Sequence, residues 1–197
     1  MLEIKDLDTF LGETQPHRSF SKIQRVENIQ WVISEKLDGT NGVIFKQGSI
    51  YEPDHVLKIG SRNRWLDEHN DNHGFYNFVM ANVEQLANLN DGFHYGEFVG
   101  PGIQKNRYNL PAKKLFFFNQ KVDIPLCDEY GLVPIYTTGS GLPSLLYAIE
   151  AYRQEMPQSL TFNETGPIKN AKPSLEGLMI EIHFDNGVRR LKLIVDK

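Results

Sequence analysis

The stretch Ser34-Glu35-Lys36-Leu37-Asp38-Gly39-Thr40-Asn41-Gly42 places one lysine between an apolar run and two turn dipeptides. Residues 29–33, which precede it, have the apolar and β-branched composition of a buried strand. Asp-Gly and Asn-Gly are the dipeptides most typical of a tight hairpin turn. The pattern therefore predicts strands at residues 30–35 and 42–45 around these turns, with Lys36 held at a strand end. Taken alone, it also fits an ordinary surface hairpin.

The length and composition are those of one globular domain. The chain has 197 residues, of which 40% are hydrophobic and 23% are charged, enough to form a single core. The first ten residues lack a signal-peptide pattern, and no apolar run approaches the roughly 20 residues of a membrane span. A single cysteine, Cys127, excludes an internal disulfide and a zinc ribbon. We therefore expect one domain over residues 1–197, in the cytoplasm and without a membrane partner.

Strands dominate the secondary structure that the sequence predicts. Helical spacing of apolar residues indicates two helices, at residues 71–89 and 142–153. Residues 1–28 are expected to be a peripheral entry segment, and residues 157–174 a polar connector. Strands are predicted at residues 93–99, 114–122, 176–184 and 188–195, with residues 49–51 and 57–60 extending the first sheet. The fold class is therefore α+β with largely antiparallel sheets.

The charge pattern contains one basic window in an acidic protein. The net charge of -4 and the pI of about 5.9 argue against a surface that is basic throughout. Residues 98–122, however, contain no acidic residue, and five cations fall within them: Lys105, Arg107, Lys113, Lys114 and Lys121. Two interpretations stay open, a solvated basic loop and a phosphate-binding surface.

Six segments of the chain resemble the ordered motifs of a known superfamily. Lys36-Leu37-Asp38-Gly39 with Asn41 resembles motif I of the covalent nucleotidyltransferases, which include polynucleotide ligases and mRNA capping enzymes. The later segments are Ser61-Arg62-Asn63 (motif Ia), Tyr95-Gly96-Glu97 (motif III), Phe116-Phe117-Phe118 before Asn119 (motif IIIa), Glu176-Gly177-Leu178-Met179-Ile180 (motif IV) and Arg190-Leu191-Lys192 (motif V). The resemblance implies an ATP-grasp-like nucleotidyltransferase core of largely antiparallel sheets flanked by helices.

Asn41 makes the chain resemble ATP-dependent RNA ligases of the T4 RNA ligase 2 type more than DNA ligases or capping enzymes. The resemblance implies that Lys36 forms a covalent lysyl-AMP with ATP. The AMP then passes to an RNA 5'-phosphate, which is joined to a 3'-hydroxyl. A lysine nucleophile must be partly neutral, whereas a free lysine has a pKa of about 10.4. Arg62 and Lys192 are the cations expected beside the α-phosphate, where they also act in catalysis.

The same resemblance implies a set of nucleotide contacts. Phe118 is expected to stack on adenine, and Glu35 to contact the adenine edge. Glu97 and Glu176 are expected to bind Mg²⁺ or Mn²⁺ or the ribose hydroxyls, because these cations prefer oxygen ligands. Each acidic residue, taken alone, also fits a strand-end surface acid. The full set of expected nucleotide contacts is Glu35, Asn41, Glu97, Phe118, Glu176, Lys192 and Arg190.

The sequence departs from the family pattern in two places. Motif V commonly has lysine at both basic positions, whereas the first is Arg190 here. The chain also stops five residues after Lys192. We therefore expect no appended OB or C-terminal RNA-binding domain, so that RNA is bound by the core or with a separate RNA-binding partner.

Several alternatives remain open from the sequence. The chain could be a minimal DNA ligase, a capping-type guanylyltransferase, or a catalytically idle nucleotide- or RNA-binding module. His69 and His73, near Asp67, Glu68 and Asp71, fit either a metal site or a solvated helix start. The sequence contains no P-loop and no dinucleotide-binding glycine motif, so those routes to a nucleotide site are unsupported.

Overall fold

The structure is a computed structural model, and it describes residues 24–118, 127–154 and 176–194. Most of the predicted entry segment, the connector at residues 157–174 and the end of the strand predicted at residues 114–122 lie outside the described residues. Lys121 of the basic window lies outside them as well.

The described strands form two sheets, which we call sheet A and sheet B. Sheet A has the strand order β7-β1-β8-β9, and sheet B has the order β3-β2-β4-β5-β6. All neighbouring strands are antiparallel except β5 and β6, so the predicted α+β class with largely antiparallel sheets is confirmed. The strands are β1 (Gln30–Lys36), β2 (Thr40–Gln47), β3 (Val56–Gly60), β4 (Gly92–Val99), β5 (Lys114–Phe117), β6 (Tyr130–Leu132), β7 (Ile135–Ser140), β8 (Gly177–Phe184) and β9 (Gly187–Ile194).

The first two strands do not form the predicted hairpin. β1 lies in sheet A between β7 and β8, whereas β2 lies in sheet B between β3 and β4. Leu37, Asp38 and Gly39 connect the two sheets, and Asn41-Gly42 lies within β2 instead of in a turn. Gly39 is required for close approach, since a Cβ there would lie 2.4 Å from the carbonyl oxygen of Phe98. The motif therefore crosses from one sheet to the other.

Two α-helices, α1 (Phe75–Ala81) and α2 (Leu142–Gln154), lie in the described part of the chain, with 3-10 turns at Val26–Asn28 and Val83–Leu86. The helix at residues 142–153 is confirmed, whereas the prediction for residues 71–89 is wrong in extent. The carboxylate of Asp71 accepts backbone hydrogen bonds ahead of and within the first turn of α1, which fixes a separate turn before the helix. Neither helix is long and apolar enough to cross a membrane.

Other predicted bounds also change. Residues 49–51 form a turn instead of a strand, and β6 and β7 were not predicted. Residues 139 and 140, expected to precede the second helix, belong to β7.

Each sheet buries one face under a helix. A core centred on α1 includes Ile44, Phe75, Val79, Phe98 and Phe117. A core centred on α2 includes Trp31, Ile33, Leu145, Leu178 and Ile180. A third cluster, formed by Leu37, Val99, Tyr108, Phe116 and Val133, packs around the crossing between the sheets. The crossing that follows Lys36 is therefore supported by its own hydrophobic core.

Candidate active site

Lys36 and Glu176 form an ion pair where β1 and β8 meet. Lys36 is the last residue of β1 and lies opposite Gly177, the first residue of β8. Glu176 immediately precedes Gly177 and is therefore close to Lys36. The Lys36 Nζ lies 2.5 Å from the Glu176 Oε2, and the two side chains are only 20% and 17% exposed. A Cβ at Gly177 would lie 2.1 Å from the carbonyl oxygen of Leu193. Glycine at this position therefore allows the close strand packing beside the ion pair.

Glu97 enters the same region from sheet B, where it lies opposite Asn41. Its Oε1 accepts a hydrogen bond from the Gly39 amide at 3.2 Å, and its Oε2 accepts one from the Asn41 side chain at 3.4 Å. The Arg62 Nε donates to the Asn41 Oδ1 at 2.9 Å. These contacts link motifs I, Ia and III in one hydrogen-bonded chain.

Charged groups from three other segments of the chain influence the pKa of Glu97. Burial raises the pKa of Glu97 to about 7, while the charge of Lys36 and the Gly39 amide lower it. The negative charge of Glu176 raises the pKa further, and the charge of Arg62 lowers it. Side chains that are distant in sequence thus act on one carboxyl group. The site therefore combines two carboxylates with two cations.

A loop at residues 100–111 contacts the residues that follow Lys36. The Arg107 Nε lies 3.2 Å from the Asp38 Oδ2, and the Tyr108 hydroxyl accepts a hydrogen bond from the Asp38 amide at 2.7 Å. The Gln104 side chain donates to the Gly39 carbonyl at 3.3 Å. Tyr108 is buried, and this burial raises its pKa. The loop therefore fixes the backbone of motif I.

The structure shows the contacts of three of the five cations in the basic window. Arg107 pairs with Asp38, Lys113 donates to the carbonyl of His73, and Lys114 donates to the carbonyl of Cys127. These three cations therefore contact other groups of the protein. Neither the solvated-loop nor the phosphate-binding interpretation of the window predicted such contacts. The sequence signal was the opposite charge of Asp38 and Arg107, but their 69-residue separation gave no reason to pair them.

The aromatic motif divides into core and surface residues. Phe116 and Phe117 are buried, whereas Phe118 is 44% exposed. The Phe118 amide donates to the carbonyl of Tyr95 at 2.9 Å, which extends the β4–β5 pairing by one position. Phe118 therefore lies on the face of sheet B that carries Tyr95 and Glu97, because alternate residues of a strand share a face.

Glu35 lies in the interior, with 1% of its surface exposed. Its amide donates to the carbonyl of Pro134 at 3.0 Å. The structure thus places the Glu35 side chain away from the open part of the site, although its neighbour Lys36 is at the centre.

The two basic residues of motif V lie farther from the ion pair. Lys192 and Arg190 lie on β9 opposite Met179 and Glu181, on the face of sheet A that also carries Lys36. The Arg190 Nε lies 2.5 Å from the Glu181 Oε1, so this cation is paired within the sheet. Lys192 is exposed and is two strands away from Lys36, about 10 Å at the usual strand spacing. The structure therefore places these cations on the same face as Lys36, two strands away from it.

The acidic residues of the site suit a hydrated metal ion. Across residues 24–118, 127–154 and 176–194, no three His, Cys, Asp or Glu side chains cluster as a metal site, and His69 and His73 do not form one. Mg²⁺ usually keeps several waters and takes only one or two protein carboxylates together with substrate phosphates. Glu97 and Glu176, coupled electrostatically, fit that kind of donor set.

The family model of RNA ligase matches residues 29–180. No curated protein sequence matches the chain. Solved structures of a Naegleria gruberi RNA ligase resemble it in fold. A variant with ATP and manganese is 20% identical and has a TM-score of 0.54, the match covering 85% of this chain and 49% of that chain.

Two further structures of the Naegleria gruberi RNA ligase give the same result. A variant with AMP and manganese is 19% identical with a TM-score of 0.55, covering 86% of this chain and 50% of that one. The protein with PPi is 19% identical with a TM-score of 0.53 and the same coverage. The chain thus spans about half the length of these solved structures.

Proposed function

This chain belongs to the RNA ligase family, and we propose that it is an ATP-dependent RNA ligase that uses Lys36 as its nucleophile. The observation that supports this most is the convergence of Lys36, Arg62, Glu97 and Glu176 at the crossing between the sheets. The nucleotides and manganese in the solved structures belong to the Naegleria gruberi protein, and their chemistry agrees with the residues found here.

In the proposed first step the Lys36 Nζ attacks the α-phosphorus of ATP. A phosphorus–nitrogen bond forms, and the bond to the bridging oxygen of pyrophosphate breaks, so that pyrophosphate leaves with the electron pair. Lys36 must give up a proton to complete this step. The Glu176 Oε2, 2.5 Å from the Lys36 Nζ, is within hydrogen-bond reach to accept it.

The remaining site residues are proposed to bind the nucleotide. Arg62 and Lys192 would neutralise charge that develops at the α-phosphate, and such electrostatic stabilisation is commonly the largest catalytic contribution. Phe118 offers an exposed ring on which adenine can stack. Asn41 and Glu97 offer hydrogen-bonding groups for the ribose hydroxyls.

Two of the predicted nucleotide contacts carry less weight. Arg190 would have to leave its ion pair with Glu181 to reach a nucleotide. Glu35 would contact adenine through its backbone, because its side chain is buried. Both remain part of the proposal, with Lys192 as the principal cation of motif V.

Glu97 and Glu176 would hold Mg²⁺ or Mn²⁺ together with the phosphates of ATP. The bound ion would neutralise phosphate charge and orient the leaving group. The protein contributes two carboxylates held by different sheets, so a bound ion would also link the two halves of the site.

The later steps concern RNA ends. An oxygen of an RNA 5'-phosphate attacks the phosphorus of lysyl-AMP, and the phosphorus–nitrogen bond breaks to return the lysine. An RNA 3'-hydroxyl then attacks the 5'-phosphorus and displaces AMP, which forms the phosphodiester. The similarity to the T4 RNA ligase 2 type is part of this proposal.

Incubation with α-labelled ATP and Mg²⁺ tests the proposal. Wild-type protein should become covalently labelled, Lys36→Ala should remove the label, and Lys105→Ala should keep it as a matched control from an exposed loop. GTP in place of ATP, and nicked DNA in place of nicked RNA, should react poorly. A wild-type protein that binds ATP but stays unlabelled would contradict the enzyme and support an idle binding module.

A further inference from the structure

A stripe of exposed aromatic side chains continues from the candidate active site along sheet B. We call it the aromatic stripe, and it consists of Trp65, Phe93, Tyr95 and Phe118. These residues are 46%, 52%, 51% and 44% exposed. Tyr95 lies two positions before Glu97 on the same face of β4, so the stripe leads directly away from the site.

Three rings of the aromatic stripe, those of Trp65, Phe93 and Tyr95, are close to parallel. Phe93 and Tyr95 have ring centroids 6.1 Å apart with planes 12° apart. Trp65 and Phe93 have centroids 6.3 Å apart with planes 25° apart. Phe45, on the neighbouring strand β2, supports Phe93 with a centroid distance of 4.8 Å. The exposed rings are therefore arranged by the sheet rather than scattered singly over the surface.

The position of Trp65 is fixed by the backbone. Trp65 forms an isolated β-bridge with Gly60, and a Cβ on that glycine would lie 3.0 Å from the indole ring. The Lys58 Nζ lies 5.8 Å from the ring centroid, within cation–π range. A ring held in this way loses little conformational freedom when a planar ligand stacks on it.

Cations flank the aromatic stripe. Lys58 and Arg62 are both exposed, and Arg62 also reaches Asn41 in the candidate active site. Aromatic faces next to cations are the combination with which proteins bind single-stranded nucleic acid, since bases stack on the rings and phosphates contact the cations. The positive charge of these residues is complementary to RNA, and the stripe is continuous with the site that would receive an RNA end.

We propose that the aromatic stripe stacks the unpaired bases of a single-stranded RNA segment and guides its end toward Lys36. This inference rests on the proposed function, and it adds an RNA-binding surface formed by Trp65, Phe93 and Tyr95 to the nucleotide site. Phe118 lies where the stripe meets the nucleotide site, and we assign its ring to stacking on adenine and not on RNA bases.

Binding of a fluorescently labelled, 5'-phosphorylated single-stranded oligoribonucleotide tests the inference. The Trp65→Ala/Phe93→Ala variant should bind about ten-fold more weakly than wild type, equivalent to about 1.4 kcal/mol. The Tyr147→Ala variant is a matched control, because Tyr147 is a 79% exposed aromatic residue on α2. The Trp65→Phe/Phe93→Tyr variant retains aromatic rings and should bind nearly as well as wild type.

Labelling with α-labelled ATP separates this inference from the proposed function. The alanine variant should retain covalent labelling while RNA binding falls. If labelling falls as much as RNA binding, the stripe belongs to the nucleotide pocket and the inference is wrong. Unchanged RNA binding in the alanine variant, or no RNA binding by wild type, also overturns it, the second result favouring a protein partner. If wild type binds RNA through the stripe but is never labelled, the proposed ligase activity is refuted and the RNA-binding inference stands.

Tryptophan emission gives a second readout that does not depend on the alanine variant folding well. Trp65 is half exposed, whereas the other tryptophan, Trp31, is buried. Stacking of a base on Trp65 should quench the emission when RNA is added. The quenching should be absent in Trp65→Phe although RNA binding persists, and quenching that survives this substitution would contradict stacking on Trp65.

Discussion

The Lys36 Nζ and the Glu176 Oε2 lie 2.5 Å apart, although the two residues are separated by 140 positions in the chain. The proposed nucleophile is therefore engaged in an ion pair before any nucleotide arrives. To attack a phosphate it must leave this carboxylate or transfer a proton to it. We therefore expect the reactivity of Lys36 to depend directly on Glu176.

Replacing Glu176 with glutamine should slow formation of the covalent adenylate about 100-fold or more. The substitution keeps the shape of the side chain but removes the proton acceptor beside Lys36, and general base catalysis is typically worth 10²–10⁴ in rate. Single-turnover labelling with α-labelled ATP measures this rate. Glu150→Gln, which alters an exposed carboxylate on α2, is the matched control and should retain nearly the wild-type rate. Equal rates for both variants would exclude the role of Glu176.

Lys192→Ala should lower the labelling rate by about 10²-fold or more, because a cation that acts on the transition-state charge is lost. Arg189→Ala should have little effect, since neighbouring residues of a strand point to opposite faces and Lys36 shares its face with Lys192. Arg190→Ala should fall between them, because Arg190 is paired with Glu181. A larger loss in Arg189→Ala than in Lys192→Ala would contradict the assignment of the face.

Stability should fall as the pH rises from about 4.5 to about 7, owing to Glu97. Burial raises the pKa of Glu97 from 4.5 to about 7. In this window the folded protein keeps a proton that the unfolded chain has released, so the free energy of unfolding decreases with pH. The full effect is on the order of 3 kcal/mol. Urea unfolding at several pH values measures it.

Glu97→Gln cannot titrate and should lack this part of the pH dependence. Relative to wild type, the variant should therefore become more stable as the pH rises from about 4.5 to above 7. Its absolute stability also reflects the altered hydrogen bonds to Gly39 and Asn41, so the informative quantity is the change with pH. Parallel pH curves for the two proteins would show that burial does not perturb Glu97.

Tyr108→Phe should destabilise the protein by about 1–3 kcal/mol. The substitution leaves the Asp38 amide without the hydroxyl oxygen that accepts its hydrogen bond at 2.7 Å in the partly buried crossing between the sheets. Tyr147→Phe, on an exposed face of α2, should change the free energy of unfolding by less than about 0.5 kcal/mol. If Tyr108→Phe is equally silent, the loop at residues 100–111 does not anchor motif I.

The sequence predicted which of the site residues converge better than it predicted the connections between the strands that carry them. The ordered motifs named Lys36, Arg62, Glu97 and Glu176 as members of one group, and these four do come together. The order of the motifs therefore identifies side chains that strand pairing brings together from distant parts of the chain. Lys192 follows the same rule less closely, since it shares a face with Lys36 but lies two strands away.

The predicted hairpin failed because turn dipeptides report only local preference. Asp38-Gly39 and Asn41-Gly42 permit a tight turn, but the partner of each strand is decided by residues far along the chain. Gly39 and Gly42 are needed for another reason: a Cβ at Gly42 would lie 2.5 Å from the ring of Phe75. Both glycines serve close packing, which a sequence pattern cannot distinguish from a turn.

The remaining misses have similar physical causes. The apolar spacing over residues 71–89 suggested one continuous helix, whereas the hydrogen bonds accepted by the Asp71 carboxylate fix a turn before it. Strand β6 is only three residues long and β7 has no fully buried residue, so neither leaves a clear hydrophobic pattern. The contact of Tyr108 with Asp38 spans 70 positions and has no local signature at all.

The division of the strands between the two sheets sets an order in which the protein can assemble during synthesis. Sheet B is built from one continuous stretch, residues 40–132, whereas sheet A takes β1 from before that stretch and β7, β8 and β9 from after it. Chains are synthesised from the N-terminus, and pairings between distant segments form late. The strands of sheet B can therefore pair before β8 has been synthesised and can pair with β1. Lys36, the proposed nucleophile, would then be synthesised 140 residues before the carboxylate that pairs with it.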